Sequence, residues 1–388
     1  MIKYGKHHID NSDIKNVIKA LKSDYLTQGK QIKKFEKDIC EFTGAKYSVV
    51  LSSGTSALFL IGKLLGWSKK DYILTTPITF VASANAVLYS MANIEFVDID
   101  TDTYNISVDH LERKIRSLKK IKKKVSAVIA TDFAGSPCDW SRLKTIAKKY
   151  KFKLINDNCH ALGAKYNNNQ KYSLKYADFS TLSFHPVKVI TTGEGGALLT
   201  NNKKFRDKAE HYASHCKINL KNSSKPWSYD ILDLGYNFRI TDFQCALGIS
   251  QLKKIKIFLN YRKKVALIYD NLFKNNEVVK IPKKTKNSEH AYHLYPLVID
   301  FNKISKNKKF LFKFLKDRGY DLMVHYPPIH LFTLYKKKFN FKRGDYPNAE
   351  KFYQNEISLP IFFKLEIKEV KRLAGLIVNF LDRYKKIN

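Results

Sequence analysis

Apolar residues in the first half of the chain follow two alternating patterns. Short runs of apolar and β-branched residues predict strands, and longer stretches with apolar residues three or four positions apart predict helices. The strands are expected at residues 47–51, 72–75, 94–97, 125–130, 153–157, 179–184 and 197–200. The helices are expected at residues 12–23, 32–42, 58–65, 81–91, 108–118 and 140–150. This alternation predicts an α/β fold with a largely parallel sheet and right-handed crossovers.

The pattern changes in the second half. Helices are expected at residues 203–214, 241–252 and around 265–272, followed by a polar linker at 283–289. A strand at 294–299, a helix at 308–318, a strand at 320–325 and a helix at 367–381 complete the chain. We therefore expect two domains, a large one over residues 1–250 and a small α+β one over 251–388.

A lysine lies in a short segment between two of the predicted strands. The segment reads Ser183-Phe184-His185-Pro186-Val187-Lys188 and leads into the glycine-rich turn Thr192-Gly193-Glu194-Gly195-Gly196. An amine at the end of a buried strand loses solvation, which lowers its pKa and leaves a neutral nucleophile suited to a Schiff base with an aldehyde. The alternative is a surface lysine, since the chain has 70 lysines and arginines.

A carboxylate ends an earlier predicted strand, Lys153-Leu154-Ile155-Asn156-Asp157. Pyridoxal phosphate needs such a carboxylate to keep its ring nitrogen protonated, so that the ring can accept electrons. Asp157 is the candidate for this role. The alternative is that it only caps the following segment.

Two strand-to-helix turns carry further candidates. Ser53-Gly54-Thr55 places small residues and hydroxyls at the start of a helix, where free backbone N–H groups attract an anion such as a cofactor phosphate. Phe80 follows the next strand, and its ring could stack on a flat cofactor. An ordinary helix cap and a core phenylalanine are the alternatives. In a parallel sheet all these strand ends lie at the ligand-binding edge.

Composition narrows the choice of class. The net charge is +35, but the basic residues are spread along the chain without a nucleic-acid-binding motif, so nucleic acid is not the expected partner. No apolar stretch is long enough for a membrane helix, and no leader pattern is present, so a cytoplasmic protein without membrane association is expected. The five scattered cysteines predict neither disulfides nor a metal site.

Taken together, the lysine segment and seven other motifs resemble the DegT-type sugar-nucleotide aminotransferases, a family of fold-type-I pyridoxal phosphate enzymes. The similarity runs over nearly the whole chain, and its other motifs are Leu26-Thr27-Gln28-Gly29, Ser53-Gly54-Thr55-Ser56-Ala57, the segment 76–85, the segment 157–163, Gly235-Tyr236-Asn237-Phe238-Arg239, His325-Tyr326-Pro327-Pro328-Ile329-His330 and Ile357-Ser358-Leu359-Pro360. The resemblance implies a large domain with a mainly parallel seven-stranded sheet and a smaller α+β domain.

The resemblance also implies roles for the candidates. Lys188 would bind the cofactor aldehyde and then move the proton between substrate and cofactor, while Asp157 would pair with the pyridinium nitrogen. Ser183, Gly54 and Thr55 would hold the phosphate. Some relatives carry histidine in place of this lysine and remove oxygen instead, so the lysine favours amino transfer.

Further implied contacts involve residues around the ring and at a subunit boundary. Phe80 would stack on the ring, and His160 would lie over or beside it, with a core histidine as the alternative. Asn237 and Arg239 resemble a segment that reaches the neighbouring subunit's site, which implies a homodimer with shared active sites. The expected substrate-binding residues are Thr27, Gln28, His185, His325 and Tyr326.

Within the family, three motifs resemble the subgroup that aminates C4 of a UDP-linked 4-keto-6-deoxy-N-acetyl sugar in pseudaminic acid biosynthesis. They are the segment 76–85, His160-Ala161-Leu162-Gly163 and the segment 325–330. L-Glutamate is the amino donor that the resemblance implies. Another nucleotide-linked 3- or 4-keto sugar is the alternative substrate, and a non-catalytic regulator or nucleic-acid binder on this scaffold is the remaining class.

Overall fold

The fold is described here from a computed structural model, which covers residues 1–219 and 227–386. Its strands are β1 Ile2–Lys3, β2 Tyr47–Leu51, β3 Tyr72–Thr75, β4 Asn93–Phe96, β5 Val125–Thr131, β6 Lys153–Asp157, β7 Lys165–Tyr166, β8 Phe179–Ser183, β9 Gly196–Thr200, β10 Lys217–Asn219, β11 Tyr229–Ile231, β12 Val279–Lys280, β13 Ser288–Glu289, β14 Tyr295–Ile299, β15 Tyr320–Asp321 and β16 Glu356–Leu359.

The helices occupy the segments between them. They are α1 Asn11–Leu21, α2 Lys30–Thr43, α3 Gly54–Leu64, α4 Ala82–Tyr89, α5 Val108–Lys120, α6 Trp140–Tyr150, α7 Ser173–Tyr176, α8 Lys203–Ala213, α9 Asp242–Lys253, α10 Ile255–Phe273, α11 Lys308–Lys316, α12 Thr333–Phe339, α13 Pro347–Asn355 and α14 Ile367–Tyr384. No helix of the described ranges is long and apolar enough to cross a membrane.

The large sheet has seven strands in the order β2-β9-β8-β6-β5-β3-β4. Neighbours from β8 to β4 pair in parallel, whereas β9 pairs antiparallel with both β2 and β8. This confirms the mainly parallel sheet predicted from the alternating pattern. Because β9 returns antiparallel, the loop between β8 and β9 lies at the edge where the parallel strands end.

The crossover helices form because their apolar residues recur at helical spacing behind polar caps. In α5 the buried side chains are Val108, Leu111, Ile115 and Leu118, and the Ser107 hydroxyl accepts from the His110 N–H at the helix start. Full burial of each such side chain contributes roughly 1.5–3 kcal/mol. The helix therefore packs its apolar face on the sheet.

The smaller sheet has the order β12-β14-β16 and is antiparallel. It forms a second apolar core with α10, α11 and α14, and that core begins at Val265 within α10. The last helix, α14, buries one face, on which Val370, Ala374, Ile377 and Leu381 are buried and Ile367 is partly buried. The predicted domain boundary after residue 250 falls within α9 and stays a prediction.

One predicted element is much shorter than expected. The strand predicted over residues 320–325 is only β15, which pairs in parallel with β1. Beyond it the chain leaves β1, and Met323 forms a bridge to Ser358 of β16. The apolar run Leu322-Met323-Val324 is typical of a strand, but here it belongs to a loop that carries His325 inward.

Candidate active site

Polar residues from several strand ends meet at the carboxyl edge of the large sheet. Asp157 ends β6, Ser183 ends β8, and Gly54 opens α3 directly after β2. Adjacent strands in parallel register place these ends side by side, since Asp157 pairs with Thr181 two residues before Ser183. The structure thus brings together the residues predicted to bind the cofactor ring and phosphate.

Asp157 is buried and held in a fixed orientation. The hydroxyls of Ser83 and Thr131 donate to its Oδ2 at 2.6 Å and 3.3 Å, and the Cys159 N–H donates to its Oδ1 at 3.2 Å. A carboxylate fixed at both oxygens by neighbouring elements loses little entropy when it pairs with a cation. The arrangement suits a partner for a protonated ring nitrogen, and it involves two hydroxyls that sequence analysis did not select.

Lys188 lies in the loop between β8 and β9. Its backbone N–H donates to the His185 carbonyl at 2.9 Å, which turns the chain so that the side chain points inward. Burial lowers the pKa of the Lys188 amine, with Cys159 and Asp157 acting in the opposite direction. Lowering this pKa increases the share of neutral amine, which is the nucleophilic form.

Small residues open a cradle at the start of α3. The Ser53 hydroxyl caps the helix by accepting from the Ser56 N–H at 3.0 Å, so the N–H groups of Gly54 and Thr55 remain without an intrahelical acceptor. A Cβ on Gly54 would lie 3.1 Å from the Ser183 Cβ, and one on Gly196 would lie 2.3 Å from the Gly54 nitrogen. Glycine at position 196 is therefore required, a side chain at position 54 would be tight, and the N–H groups without an intrahelical acceptor suit a phosphate.

Two buried histidines stand beside the lysine. His293 Nε2 lies 3.4 Å from Lys188 Nζ, and the ring of His293 packs against that of His160 with centroids 4.5 Å apart. Burial lowers the pKa of both imidazoles well below the usual value, and the Lys188 charge adds to this. Both rings are therefore neutral. His160 was predicted from the sequence, but His293 was missed.

The loop after β15, which bridges to β16 of the smaller sheet, contributes His325 and Tyr326 to the cluster. The Tyr326 hydroxyl lies 3.2 Å from His160 Nε2, and the His325 ring packs against the Tyr326 ring with centroids 4.9 Å apart. Phe80 is about half exposed, and its ring centroid is 6.2 Å from that of Tyr326. These three predicted residues thus adjoin the cluster that contains Lys188 and His160.

The other predicted residues form a second group near the start of α9. Thr27 and Gln28 are exposed, and Thr27 bridges to Thr241, the cap residue of α9. Asn237 is exposed, and Arg239 Nη1 donates to the Ser214 hydroxyl at 3.1 Å. No hydrogen bond between the described side chains links this group to Lys188.

His185 is an exposed member of the lysine loop. Its Nδ1 faces the Val187 N–H at a long 3.5 Å, and its backbone N–H faces the Ser183 hydroxyl at the same distance. The side chain is thus free to meet a ligand from outside, and a substrate contact stays a prediction.

His293 could have been found only through its neighbours in the fold. It lies two residues before β14, in the apolar run Ala291–Leu297. A single histidine in such a run is most often an ordinary core residue. Its Nδ1 and that of His160 have no hydrogen-bond partner among the described residues, although both atoms are buried. Unpaired buried polar atoms are costly and uncommon, so the two nitrogens distinguish these rings from histidines of an ordinary hydrogen-bonded core.

The donor set fits pyridoxal phosphate. A low-pKa amine, a fixed carboxylate and a helix-start cradle match the aldehyde, ring nitrogen and phosphate. Across residues 1–219 and 227–386 no cluster of three or more potential metal ligands is found.

Comparison with known proteins agrees with this chemistry. The model of the DegT/DnrJ/EryC1/StrS aminotransferase family matches residues 7–378. The UDP-4-amino-4,6-dideoxy-N-acetyl-beta-L-altrosamine transaminase of Campylobacter jejuni subsp. jejuni serotype O:23/36 (strain 81-176) is 39% identical over 386 residues, which cover 100% of this chain and 99% of the relative.

Solved structures are similar over the same length. Helicobacter pylori PseC, an aminotransferase involved in the biosynthesis of pseudoaminic acid, has a TM-score of 0.89 at 33% identity and covers 99% of this chain and 100% of its own. Spr1654 from Streptococcus pneumoniae in its PMP form has a TM-score of 0.91 at 28% identity, with coverage of 99% and 100%. The same protein is also solved in a PLP form.

Proposed function

Because the chain belongs to the DegT/DnrJ/EryC1/StrS aminotransferase family and is a pyridoxal-phosphate-dependent aminotransferase, we propose that it aminates C4 of a UDP-linked 4-keto-6-deoxy-N-acetylhexosamine with L-glutamate as donor. The observation that carries the substrate assignment is the full-length 39% identity to the Campylobacter jejuni transaminase. In the proposed exchange the amino group replaces the sugar's ketone oxygen, and glutamate leaves as 2-oxoglutarate.

The residues of the site have distinct tasks in this reaction. Bound pyridoxal phosphate supplies the aldehyde and the electron sink. Lys188 Nζ, whose pKa burial lowers, would hold the aldehyde carbon and, once released, would move the proton to and from the reacting carbon. Asp157, held by the Ser83 hydroxyl, would pair with the ring nitrogen, and the N–H groups of Gly54 and Thr55 would hold the phosphate.

The histidines keep the site free of competing positive charge. With His160 and His293 neutral, Lys188 is the amine whose protonation changes in the cluster, and no imidazolium competes for the proton. His325 and Tyr326 adjoin the cluster from the side of the smaller sheet and are proposed to meet the sugar nucleotide. The net charge of +35 favours the approach of the anionic substrate. We propose that the enzyme is located in the cytoplasm, which supplies nucleotide sugars and glutamate.

A homodimer with shared sites is part of the proposal. Among the described residues of strands β10 and β11 and their flanks, five large apolar side chains are exposed, including Trp227 at 77% and Leu234 at 70%. Patches of this kind mark protein interfaces. The segment that continues from β11 carries Asn237 and Arg239, so a second copy seated here would place them beside its site.

The first test is the visible spectrum of the protein with bound pyridoxal phosphate. We expect an absorbance band that bleaches on addition of L-glutamate and returns with the UDP-linked 4-keto sugar. Matched GDP- and dTDP-linked keto sugars are the controls. Recovery with one of these instead would keep the aminotransferase but reject the proposed sugar, and a band indifferent to glutamate would reject the donor.

Shared sites are tested by mixing two inactive variants, Lys188→Ala and Arg239→Ala. If Arg239 serves the partner's site, a mixed dimer contains one complete site and one doubly damaged site, so mixing after mild dissociation restores activity. If each chain builds its own site, mixing restores nothing. Size-exclusion chromatography with light scattering checks that both variants remain dimers.

A further inference from the structure

A buried hydrogen-bond chain connects His325 to a carboxyl group of β16. His325 Nδ1 lies 2.8 Å from the Ser358 hydroxyl, and that hydroxyl is also bonded to Glu356 Oε1. The other carboxyl oxygen, Glu356 Oε2, accepts from the His325 backbone N–H at 3.0 Å. Glu356 and Ser358 are fully buried and His325 is 5% exposed, so water does not compete for these bonds.

The single proton of the Ser358 hydroxyl makes this chain directional. If Glu356 is ionised, Ser358 donates to the carboxylate and must accept from His325, so the imidazole proton lies on Nδ1. If Glu356 is protonated, its proton points to Ser358, and Ser358 donates to Nδ1. The imidazole proton then lies on Nε2, because one ring nitrogen's bond determines the state of the other.

We propose that Glu356, acting through Ser358, determines which ring nitrogen of His325 carries the proton, and thereby whether His325 presents a donor or an acceptor to the sugar nucleotide. Nδ1 is taken by Ser358, so Nε2 is the nitrogen left for a ligand. The substrate part of this inference rests on the proposed function. Glu356 itself is a positioning residue, since it acts through two other side chains.

Burial favours a neutral Glu356 at neutral pH. Burial raises the pKa of Glu356 to about 8, and hydrogen bonds from Ser358 and His325 and the charge of Lys308 in α11 oppose this rise. Lys308 Nζ itself donates to the Tyr353 carbonyl at 2.6 Å. Below this pH the chain therefore leaves the proton on His325 Nε2, a hydrogen-bond donor.

Two lysines adjoin this chain from other elements. Burial lowers the pKa of Lys188, and it lowers that of Lys308 to about 8. Tyr4 packs on its ring with centroids 4.6 Å apart, and burial raises the pKa of both Tyr4 and Tyr326. Burial and the Lys188 charge lower the pKa of His325 to about 3, so its ring stays neutral while the proton changes place. Ser358, the partner of His325 Nδ1, is bonded to Glu356 and not to either lysine, so the change of tautomer follows the Glu356 carboxyl.

The direct test is nitrogen NMR of the histidine rings in the holoenzyme between pH 6.5 and 9.5, with the His325 signals assigned by their loss in His325→Asn. We expect the Nε2–H form at low pH and the Nδ1–H form at high pH. In Glu356→Gln the amide can donate to Ser358 while its oxygen accepts from the backbone, so the Nε2–H form should persist throughout. A wild-type tautomer that does not change, or a Gln variant that still switches, overturns the proposal.

Ser358→Ala and Glu350→Gln complete the series. Without the Ser358 hydroxyl the coupling is lost, so the His325 tautomer should no longer respond to pH. Glu350 is a buried carboxyl bonded to another histidine, His330, at 3.0 Å, and its amide variant should leave the His325 switch intact. A switch that is retained in Ser358→Ala, or lost in Glu350→Gln, would contradict the proposed chain.

Kinetics separates this role from a structural one. In wild type we expect the KM for the keto sugar nucleotide to change about 5–10-fold between pH 7 and 9, the effect of one neutral hydrogen bond. Glu356→Gln should flatten this change and leave the glutamate half-reaction unaltered. An equal loss in both half-reactions would indicate misfolding and reject the positioning role. If the proposed sugar is wrong there is no such turnover at all, yet the NMR result still decides the tautomer.

Discussion

The two sides of the site are built on different principles. The side formed by the large sheet presents charged or hydrogen-bonding groups at strand ends, including Asp157 and Lys188. The side formed by the smaller sheet and its loops presents buried imidazoles, His293 and His325, whose pKa values burial lowers. The large-sheet side supplies the reacting groups. The other side supplies neutral imidazoles, which do not compete with the Lys188 amine for its proton. We expect substitutions to be more costly on the first side.

The largest effect is expected for Lys188→Ala. Removing the nucleophile and proton carrier should lower turnover at least about 1,000-fold. Steady-state kinetics and the visible spectrum measure it, with the exposed lysine variant Lys175→Ala as control. Turnover within ten-fold of wild type would remove Lys188 from the reacting side.

Asp157→Asn should rank second. The amide keeps the size of the side chain but removes the charge that stabilises a protonated ring nitrogen, so turnover should fall about 100- to 1,000-fold. Single-turnover kinetics with glutamate measures the step directly. Asp109→Asn, at an exposed ion pair with Arg142, is the matched control and should have wild-type rates. Equal rates for the two variants would contradict the assigned role.

Gly54→Ala tests the cradle. Its Cβ would lie 3.1 Å from Ser183 Cβ and 3.2 Å from Cys159 Sγ, so the helix start must shift and cofactor affinity should fall about ten-fold. Gly375→Ala is the control, because its Cβ meets nothing within 4 Å on α14. Titration of the apoprotein with pyridoxal phosphate measures both. Unchanged affinity for Gly54→Ala would place the phosphate elsewhere.

His293→Asn should have a smaller effect, which sharpens the comparison. It removes the imidazole 3.4 Å from Lys188 Nζ, so we expect turnover to fall about 5–10-fold and its pH profile to shift. His110→Ala, on α5, is the control. A loss as large as that of Lys188→Ala would show that the two sides do not differ as proposed.

The smallest effect concerns stability in acid. His160, His293 and His325 have pKa values in the folded state below the unfolded value of about 6.5. Their contribution to the free energy of unfolding is therefore present above that pH and is lost as the pH falls. Each can cost up to about 1.4 kcal/mol per pH unit below 6.5. Urea unfolding of the holoenzyme at pH 7 and 5.5 should show a smaller loss in His293→Asn than in wild type. Equal losses would mean that His293 is already protonated when folded.

The sequence could predict the sheet side because its information is local. A strand, a small-residue turn and a helix lie within a few residues of each other, so Gly54, Asp157 and Lys188 follow from strand ends alone. The same logic would also select Asp132, just beyond β5. That carboxyl instead bonds to Trp140, Tyr172 and Asn158, and burial raises its pKa to about 6.

The smaller-sheet side could not be predicted in this way. His293 lies in an apolar run, and Glu356 and Ser358 alternate with Ile357 and Leu359, which is the local pattern of an ordinary strand. Their roles depend on contacts over a long sequence separation, such as His293 with Lys188, 105 positions apart. The motif resemblance predicted His325 and Tyr326, but it gave no sign of the carboxyl group behind them.

The pairing of β1 with β15 has a consequence for protein synthesis. Residues 2 and 3 pair with residues 320 and 321, and the groups behind His325 come later still, at 356 and 358. During translation Lys188 and Asp157 therefore leave the ribosome well before His293, His325 and the groups behind His325 are made. We expect the nascent chain to capture its cofactor firmly only in the final stage of elongation, after most of the large sheet has already formed.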